Sequence, residues 1–192
     1  MKKIYILLGL FCLFILAGCN KHHFEVIEYI EPTCTLDGKE VKECTKCKEQ
    51  VTNILEAKGH YFKNKQCENC DTLASYELIE TIIYKDILSQ KEDKYYIFIY
   101  RDNCEVCKSM TNKVVNYYYQ GKIRMYALNR SNTEDNQEMT AAPGTTTNVG
   151  LNATVYTEVK LCSTPVLLEV TNGVVTKLID MKTLIFNELE EE

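Results

Sequence analysis

The sequence predicts an α/β chain in which a small, metal-stapled module precedes a larger domain with helices flanking a central mixed sheet. Three observations carry this. The apolar run Tyr95-Tyr96-Ile97-Phe98-Ile99-Tyr100 leads into Cys104-Glu105-Val106-Cys107, and a helical stretch from Lys108 to Gln120 follows. Ser163-Thr164-Pro165 introduces a second apolar strand that returns through an Asn-Gly turn. Upstream, Cys44/Cys47 and Cys67/Cys70 form two Cys-x2-Cys knuckles with metal-ligand spacing.

The 192 residues suit one ordinary domain plus a smaller module. Removing residues 1–18 takes away Lys2 and Lys3 and no acids, so the net charge of −5 becomes −7. That balance argues against a nucleic-acid partner. Lys2 and Lys3, the apolar run Ile4 to Leu16 and then Leu16-Ala17-Gly18-Cys19 have the layout of a secretory signal. The run is short for a membrane-spanning helix, which needs about 20 residues. The segment resembles a bacterial lipobox. The resemblance implies a signal peptide over 1–18, acylation of Cys19 in a lipidated start over 19–21, and attachment to the outer face of the cell membrane. An uncleaved anchor is the alternative.

The first module is expected over residues 22–71. Its cysteines fall at 34, 44, 47, 67 and 70, and His22-His23-Phe24 and His60-Tyr61-Phe62 each precede a knuckle. Two partitions are open. A single zinc ribbon would use Cys44, Cys47, Cys67 and Cys70. Two sites would use His22, Cys34, Cys44 and Cys47, then His60, Cys67, Cys70 and a further ligand. Disulfides are the alternative in an exported protein. A structural zinc fits so short and polar a module, which needs a staple in place of a large core. Pro32 to Gly38, Cys44-Thr45-Lys46-Cys47 and Gly59-His60 resemble a Cys/His repeat of Gram-positive surface proteins, which keeps the two-site partition open. Lys48 departs from that pattern, where glycine often follows the second cysteine.

The second domain is expected over 72–192. Tyr76, Ile79, Ile83 and Ile87 have helical spacing and predict a helix within Leu73 to Gln90. Tyr95 to Tyr100 reads as a buried strand. Met110, Val114, Val115 and Tyr118 mark the inner face of the next helix, which Gly121 ends. Lys122 to Leu128 alternates as a strand, completing a parallel crossover. A polar loop runs from Asn129 to Asn152, and Val155 to Leu161 is a candidate short helix. Val166 to Val170 and Val174 to Ile179 form a hairpin around Asn172-Gly173. Thr183 to Glu191 closes as a helix with Leu184, Phe186 and Leu189 inward.

A dithiol at a strand end and helix start has its first thiolate stabilised by the helix N-terminus, with the second cysteine about one turn on. The dithiol, the Thr-Pro strand and the Asn-Gly hairpin together resemble the thioredoxin fold over most of residues 73–192. That resemblance implies Cys104 as nucleophile and Cys107 as resolving thiol. It also implies a cis Pro165 packed on the dithiol and substrate binding along the backbone at Thr164 and Pro165. No cofactor is implied for this domain. The implied partners are protein thiols or disulfides and a redox partner that recycles the pair.

Two positions depart from the family. Asn103 stands where tryptophan usually precedes the first cysteine, and Phe98 stands where a buried acid often serves the second. Glu105 beside the nucleophile opposes thiolate formation, which favours a reducing or isomerising role. Cys162 lies three residues before Pro165, either as a small buried residue or as a third redox thiol. The function implied is a membrane-anchored, extracytoplasmic thiol–disulfide oxidoreductase. The alternative is a non-enzymatic surface lipoprotein whose Cys/His module binds a partner while the second domain is a scaffold.

Overall fold

The computed structural model describes residues 21–131 and 137–191. The segment 1–18 expected to be a signal peptide, and Cys19, expected to be acylated, lie outside the described residues. The chain divides into two compact units, with the boundary between Gly59 and His60.

The first unit is a three-stranded antiparallel sheet in the order β1 (Phe24–Ile30), β2 (Gly38–Cys44), β3 (Gln50–Leu55). Gly38, Val41 and Cys44 are the buried positions on its central strand. With so few buried residues, the sheet has little apolar burial to hold it.

The second unit opens with the two-stranded hairpin β4 (Phe62–Lys63) and β5 (Gln66–Cys67). Its main sheet has four strands in the order β7-β6-β8-β9, with β6 at Lys94–Tyr100, β7 at Arg124–Asn129, β8 at Val166–Thr171 and β9 at Val174–Ile179. β6 and β7 are parallel, while β8 runs antiparallel to β6 and β9 antiparallel to β8. Between β6 and β7 the chain forms a short helix α1 (Glu105–Lys108) and a longer α2 (Thr111–Gln120). The terminal helix is α3 (Lys182–Glu191). A mixed sheet flanked by helices, with a cis peptide at Thr164-Pro165 before β8, is the thioredoxin-like fold.

Burial follows from strand position. From Tyr95 to Tyr100 every residue of β6 is buried, as a central strand covered on both faces demands. Ile97, Ile99, Leu168 and Val170 belong to one cluster, and burying each such side chain contributes about 1.5–3 kcal/mol. The β8–β9 turn places Asn172 at φ 50° and Gly173 at φ 74°, the left-handed pair that an Asn-Gly hairpin requires.

Three expected details differ. The segment 73–90 is not an α-helix: it forms 3-10 turns at Tyr76–Leu78 and Tyr84–Asp86, joined by an extended stretch. The β-branched run Thr81-Ile82-Ile83 favours extension. There Thr81 bridges Ala127 in parallel, and Ile82 N–H donates to the Ala127 carbonyl at 3.0 Å. The apolar spacing instead reflects single contacts, with Ile79 and Ile87 buried and Ile83 exposed. On α2 the buried tyrosine is Tyr117, one position before the expected Tyr118, and on α3 Ile185 is buried with Leu189 while Leu184 is exposed. On α2 Met110, Val114 and Val115 are buried as expected and only the last member of the stripe shifts, whereas on α3 the i, i+4 pair is Ile185 and Leu189. Val155 to Leu161 holds only a 3-10 turn at Tyr156–Glu158.

Glu169 on β8 is buried and accepts from Thr176 Oγ1 at 2.7 Å, with Lys94 and Lys177 at 3.1 and 3.3 Å. Burial raises its pKa, but these hydrogen bonds outweigh it and leave the group below its ordinary 4.5. A carboxylate with a lowered folded-state pKa adds stability above its unfolded pKa and loses it as pH falls through the folded value. Glu169→Gln is therefore expected to lower stability at pH 7 by about 2 kcal/mol, typical of lost charged hydrogen bonds. The deficit should shrink below about pH 4, as thermal melts at pH 7 and pH 3 would show.

Candidate active site and metal-binding groups

Strand β6 ends at Tyr100, and the turn Arg101-Asp102-Asn103 delivers Cys104 to the N-cap of α1. Cys104 and Cys107 are joined as a disulfide with Cα atoms 5.2 Å apart. Cys107 N–H donates to Cys104 Sγ at 3.1 Å, so the helix N-terminus points at the first sulfur. Cys107 is fully buried, whereas Cys104 is half-buried between exposed Asn103 and exposed Glu105. The accessible sulfur is therefore that of Cys104. Opposite it, the Thr164 carbonyl lies 3.6 Å from Cys104 Sγ, and buried cis Pro165 follows. The structure thus brings Cys104, Cys107, Thr164 and Pro165 together.

Glu105 is not the free negative charge that the sequence suggests. A hydrogen bond from Lys108 at 2.6 Å and the charge of the same lysine hold its carboxyl below the ordinary value, and Lys65 adds to this. Its expected opposition to a Cys104 thiolate is correspondingly weakened. Phe98, in the position of the family's acid, is fully buried among Tyr76 and Tyr100, with ring centres 5.1 and 6.4 Å away.

Two residues near the dithiol were not singled out from sequence. Tyr76 donates from its hydroxyl to the Cys107 carbonyl at 2.5 Å, and burial raises its pKa. α1 and α2 are separate helices broken at Ser109-Met110, so Tyr76 reinforces a carbonyl at that break. Tyr76→Phe is expected to cost about 1 kcal/mol, read as a lowered denaturant midpoint with unchanged slope. Arg130 is fully buried behind the proline loop. It donates to the Leu161 and Ser163 carbonyls at 3.0 and 3.4 Å and to Thr140 Oγ1 at 3.2 Å. Burial lowers its pKa to about 10, with Arg101 adding to the effect. Its position directly after β7 gave no sequence signal. Cys162 is half-buried, and its N–H and Sγ lie 2.8 and 3.5 Å from Asn148 Oδ1.

The two knuckles fall in different units, each gathered around its own histidine. In the first, His22, Cys44 and Cys47 form one group, with His22 Nδ1 3.4 Å from Cys47 Sγ. Cys34 is not part of that group and sits in the turn after β1. In the second, His60 Nδ1 lies 3.4 Å from both Cys67 Sγ and Cys70 Sγ. The histidine–phenylalanine repeat is real in space: His22 stacks on Phe24 and His60 on Phe62, each pair with ring centres 5.5 Å apart. The backbone repeats too. Cys44 N–H donates to the Glu49 carbonyl and Cys67 N–H to the Thr72 carbonyl, five residues on in each case. Likewise Thr45 N–H donates to His23 and Glu68 N–H to Tyr61.

Lys48 sits at φ 63°, which explains why glycine suits the position and puts the cost of lysine at roughly 1–2 kcal/mol. Backbone N–H groups of Cys47, Lys46 and His23 aimed at Cys44, with the Cys47 N–H strongest, lower its thiol pKa to about 5. Imidazole nitrogen and thiolate sulfur are donors that soft and borderline cations prefer, so these Cys/His groups can hold a metal ion.

No protein-family model matches the chain, and no curated protein matches it. Among solved structures, it is similar to one from a study of the thiol-resolving mechanism of a yeast mitochondrial 1-Cys peroxiredoxin (15% identity, TM-score 0.41, 62% of this chain and 99% of that one). It is similar to oxidized mitochondrial thioredoxin 3 from Saccharomyces cerevisiae (14%, TM-score 0.43, 61% and 98%). It is also similar to Chlamydomonas reinhardtii thioredoxin f2 (13%, TM-score 0.41, 59% and 96%). The assignment of a thioredoxin-like fold rests on the strand order and proline loop, not on these likenesses.

Proposed function

We propose that the chain is a thiol–disulfide oxidoreductase acting on protein disulfides through Cys104 and Cys107. The observation that carries this is the asymmetric pair: one accessible sulfur at a helix N-terminus, one buried sulfur bonded to it, and the Thr164 carbonyl 3.6 Å from the accessible sulfur. In a reducing turnover, the Cys104 thiolate attacks one sulfur of a substrate disulfide. The other substrate sulfur leaves as a thiolate and takes up a proton. Cys107 then attacks Cys104 Sγ, releasing the second substrate thiol and restoring the pair as a disulfide. Two electrons pass from the dithiol to the substrate, and a redox partner returns them.

The apolar segment Ile4 to Leu16 and Cys19 support an extracytoplasmic protein held to a membrane by an acylated cysteine. Zinc in the two Cys/His groups would be structural, held by His22, Cys44 and Cys47 in the first unit and by His60, Cys67 and Cys70 in the second. The donor chemistry fits zinc, and the sulfur–nitrogen separations of 3.4 Å are close to the about 3.6 Å edge of a tetrahedron built from zinc–ligand bond lengths. Insulin-disulfide reduction by the purified chain tests the catalytic reading. Wild type should turn over and Cys104→Ser should not, while an inert wild type whose dithiol never changes redox state in cells would remove the enzyme reading.

A further inference from the structure

We propose that Glu49 completes a self-contained site for a divalent first-row cation of the zinc type on the first unit, together with His22, Cys44 and Cys47. This deepens the metal reading above and rests on it.

The argument starts from distances. In a tetrahedral zinc site, ligand atoms on neighbouring vertices lie about 3.4–3.6 Å apart. Glu49 Oε2 is 3.3 Å from His22 Nδ1, and His22 Nδ1 is 3.4 Å from Cys47 Sγ. The third edge, Glu49 Oε2 to Cys47 Sγ, is 4.0 Å, long by the reach of a side chain that can close in. Cys44 Sγ lies within 4.8 Å of the ligand atoms of His22 and Cys47. One carboxylate oxygen therefore stands beside His22 and Cys47, while Glu49 falls outside the His22, Cys44 and Cys47 grouping and its side chain must swing toward Cys44 to close the site.

The backbone puts it there. Cys44 N–H donates to the Glu49 carbonyl at 2.8 Å and Lys48 N–H to the Cys44 carbonyl at 3.0 Å, closing the knuckle into a tight turn that ends at Glu49. The second knuckle repeats the first of these bonds, from Cys67 N–H to the Thr72 carbonyl, and the Thr72 hydroxyl lies 3.3 Å from Cys70 Sγ. The repeat thus aims one side chain at the second cysteine of each knuckle, and only the first copy supplies a carboxylate.

Charge pairing points the same way. Elsewhere in this unit, Glu28, Glu31, Glu40 and Glu43 each pair with a lysine. Even Lys48, adjacent to Glu49, turns to Glu43. Among the described residues the Glu49 side chain meets only His22 and Cys47. The site is also open, with the side chains of His22 and Glu49 35% and 58% exposed. It takes a cation that exchanges with solution, unlike a closed, all-thiolate staple.

Cobalt(II) titration of the full chain, followed by zinc competition, tests this. Two cobalt ions are expected per chain, with thiolate-to-cobalt absorption that Cys44→Ser reduces by one site. Glu49→Ala should keep the fold, because the residue is exposed, and weaken that site about 10- to 100-fold, the range seen when even a supporting ligand partner is lost. Glu49→Asp should recover part of the loss. Wild-type affinity and spectrum in Glu49→Ala would overturn the proposal, as would undiminished absorption in Cys44→Ser. A wild-type chain that takes up no cobalt would instead remove the metal reading itself.

Discussion

A Cys107→Ser chain is expected to remain covalently attached to its substrate. Cys104 is half-buried and accessible, and removing Cys107 leaves both the helix N-terminus and the Thr164 carbonyl in place. The first attack therefore survives, and the mixed disulfide forms. What is lost is the intramolecular second attack, made by a sulfur whose Cα is 5.2 Å from that of its target. Well-placed intramolecular groups act at effective concentrations of about 10⁵ M or more. External thiols at millimolar levels cannot match this, and release should slow by at least about 10³-fold. Cys104→Ser should form no adduct through the dithiol, because Cys107 is fully buried. Non-reducing electrophoresis after mixing with a disulfide-bonded substrate separates the three proteins. An adduct mapped to Cys107 in Cys104→Ser, or none on Cys104 in Cys107→Ser, would reverse the assignment of nucleophile and resolving thiol.

The arrangement of Cys104 and Cys107 at a strand end and helix start was legible because its context is local. A buried strand, a Cys-x-x-Cys helix start and an Asn-Gly hairpin are each short stretches whose residue types fix their backbone. Tyr76 and Arg130 were not legible for the opposite reason. Each acts through one long-range hydrogen-bonding atom group, to a carbonyl 31 residues away for Tyr76 and to the loop 31–33 residues away for Arg130. Periodicity carries no information about such contacts. It misled outright in 73–90, where an extended stretch between two 3-10 turns happens to space isoleucines like a helix. The His-x-Phe repeat was visible in the sequence, but the role of position 49 was not. Glu49 and Thr72 each stand two places after the second cysteine of a knuckle, but only the structure shows each side chain approaching that sulfur.

Removing the ion proposed for the His60, Cys67 and Cys70 group is expected to destabilise the second unit itself, not just a peripheral loop. The reason is how β4 is tied to α2. Asn116 on α2 accepts from Phe62 N–H at 2.6 Å and donates back to the Phe62 carbonyl at 2.9 Å. His60 also packs edge-on to Tyr119 with ring centres 5.0 Å apart. A cation fixing His60 thus fixes the outer face of the helix that follows the dithiol, while the inner face holds Val114 and Val115 in the core. A ligand present at about 1,000 times its Kd stabilises by about 4 kcal/mol. At about 2–8 °C per kcal/mol, chelation should lower the melting temperature of this unit by roughly 10–30 °C. Cys67→Ser should reproduce the shift and make the chain insensitive to chelator. Asn116→Ala distinguishes a coupled staple from a separate one: it should keep zinc bound yet reduce the effect of chelation on melting. A chelator that leaves the melt of the second unit unchanged would show that the second knuckle holds only itself.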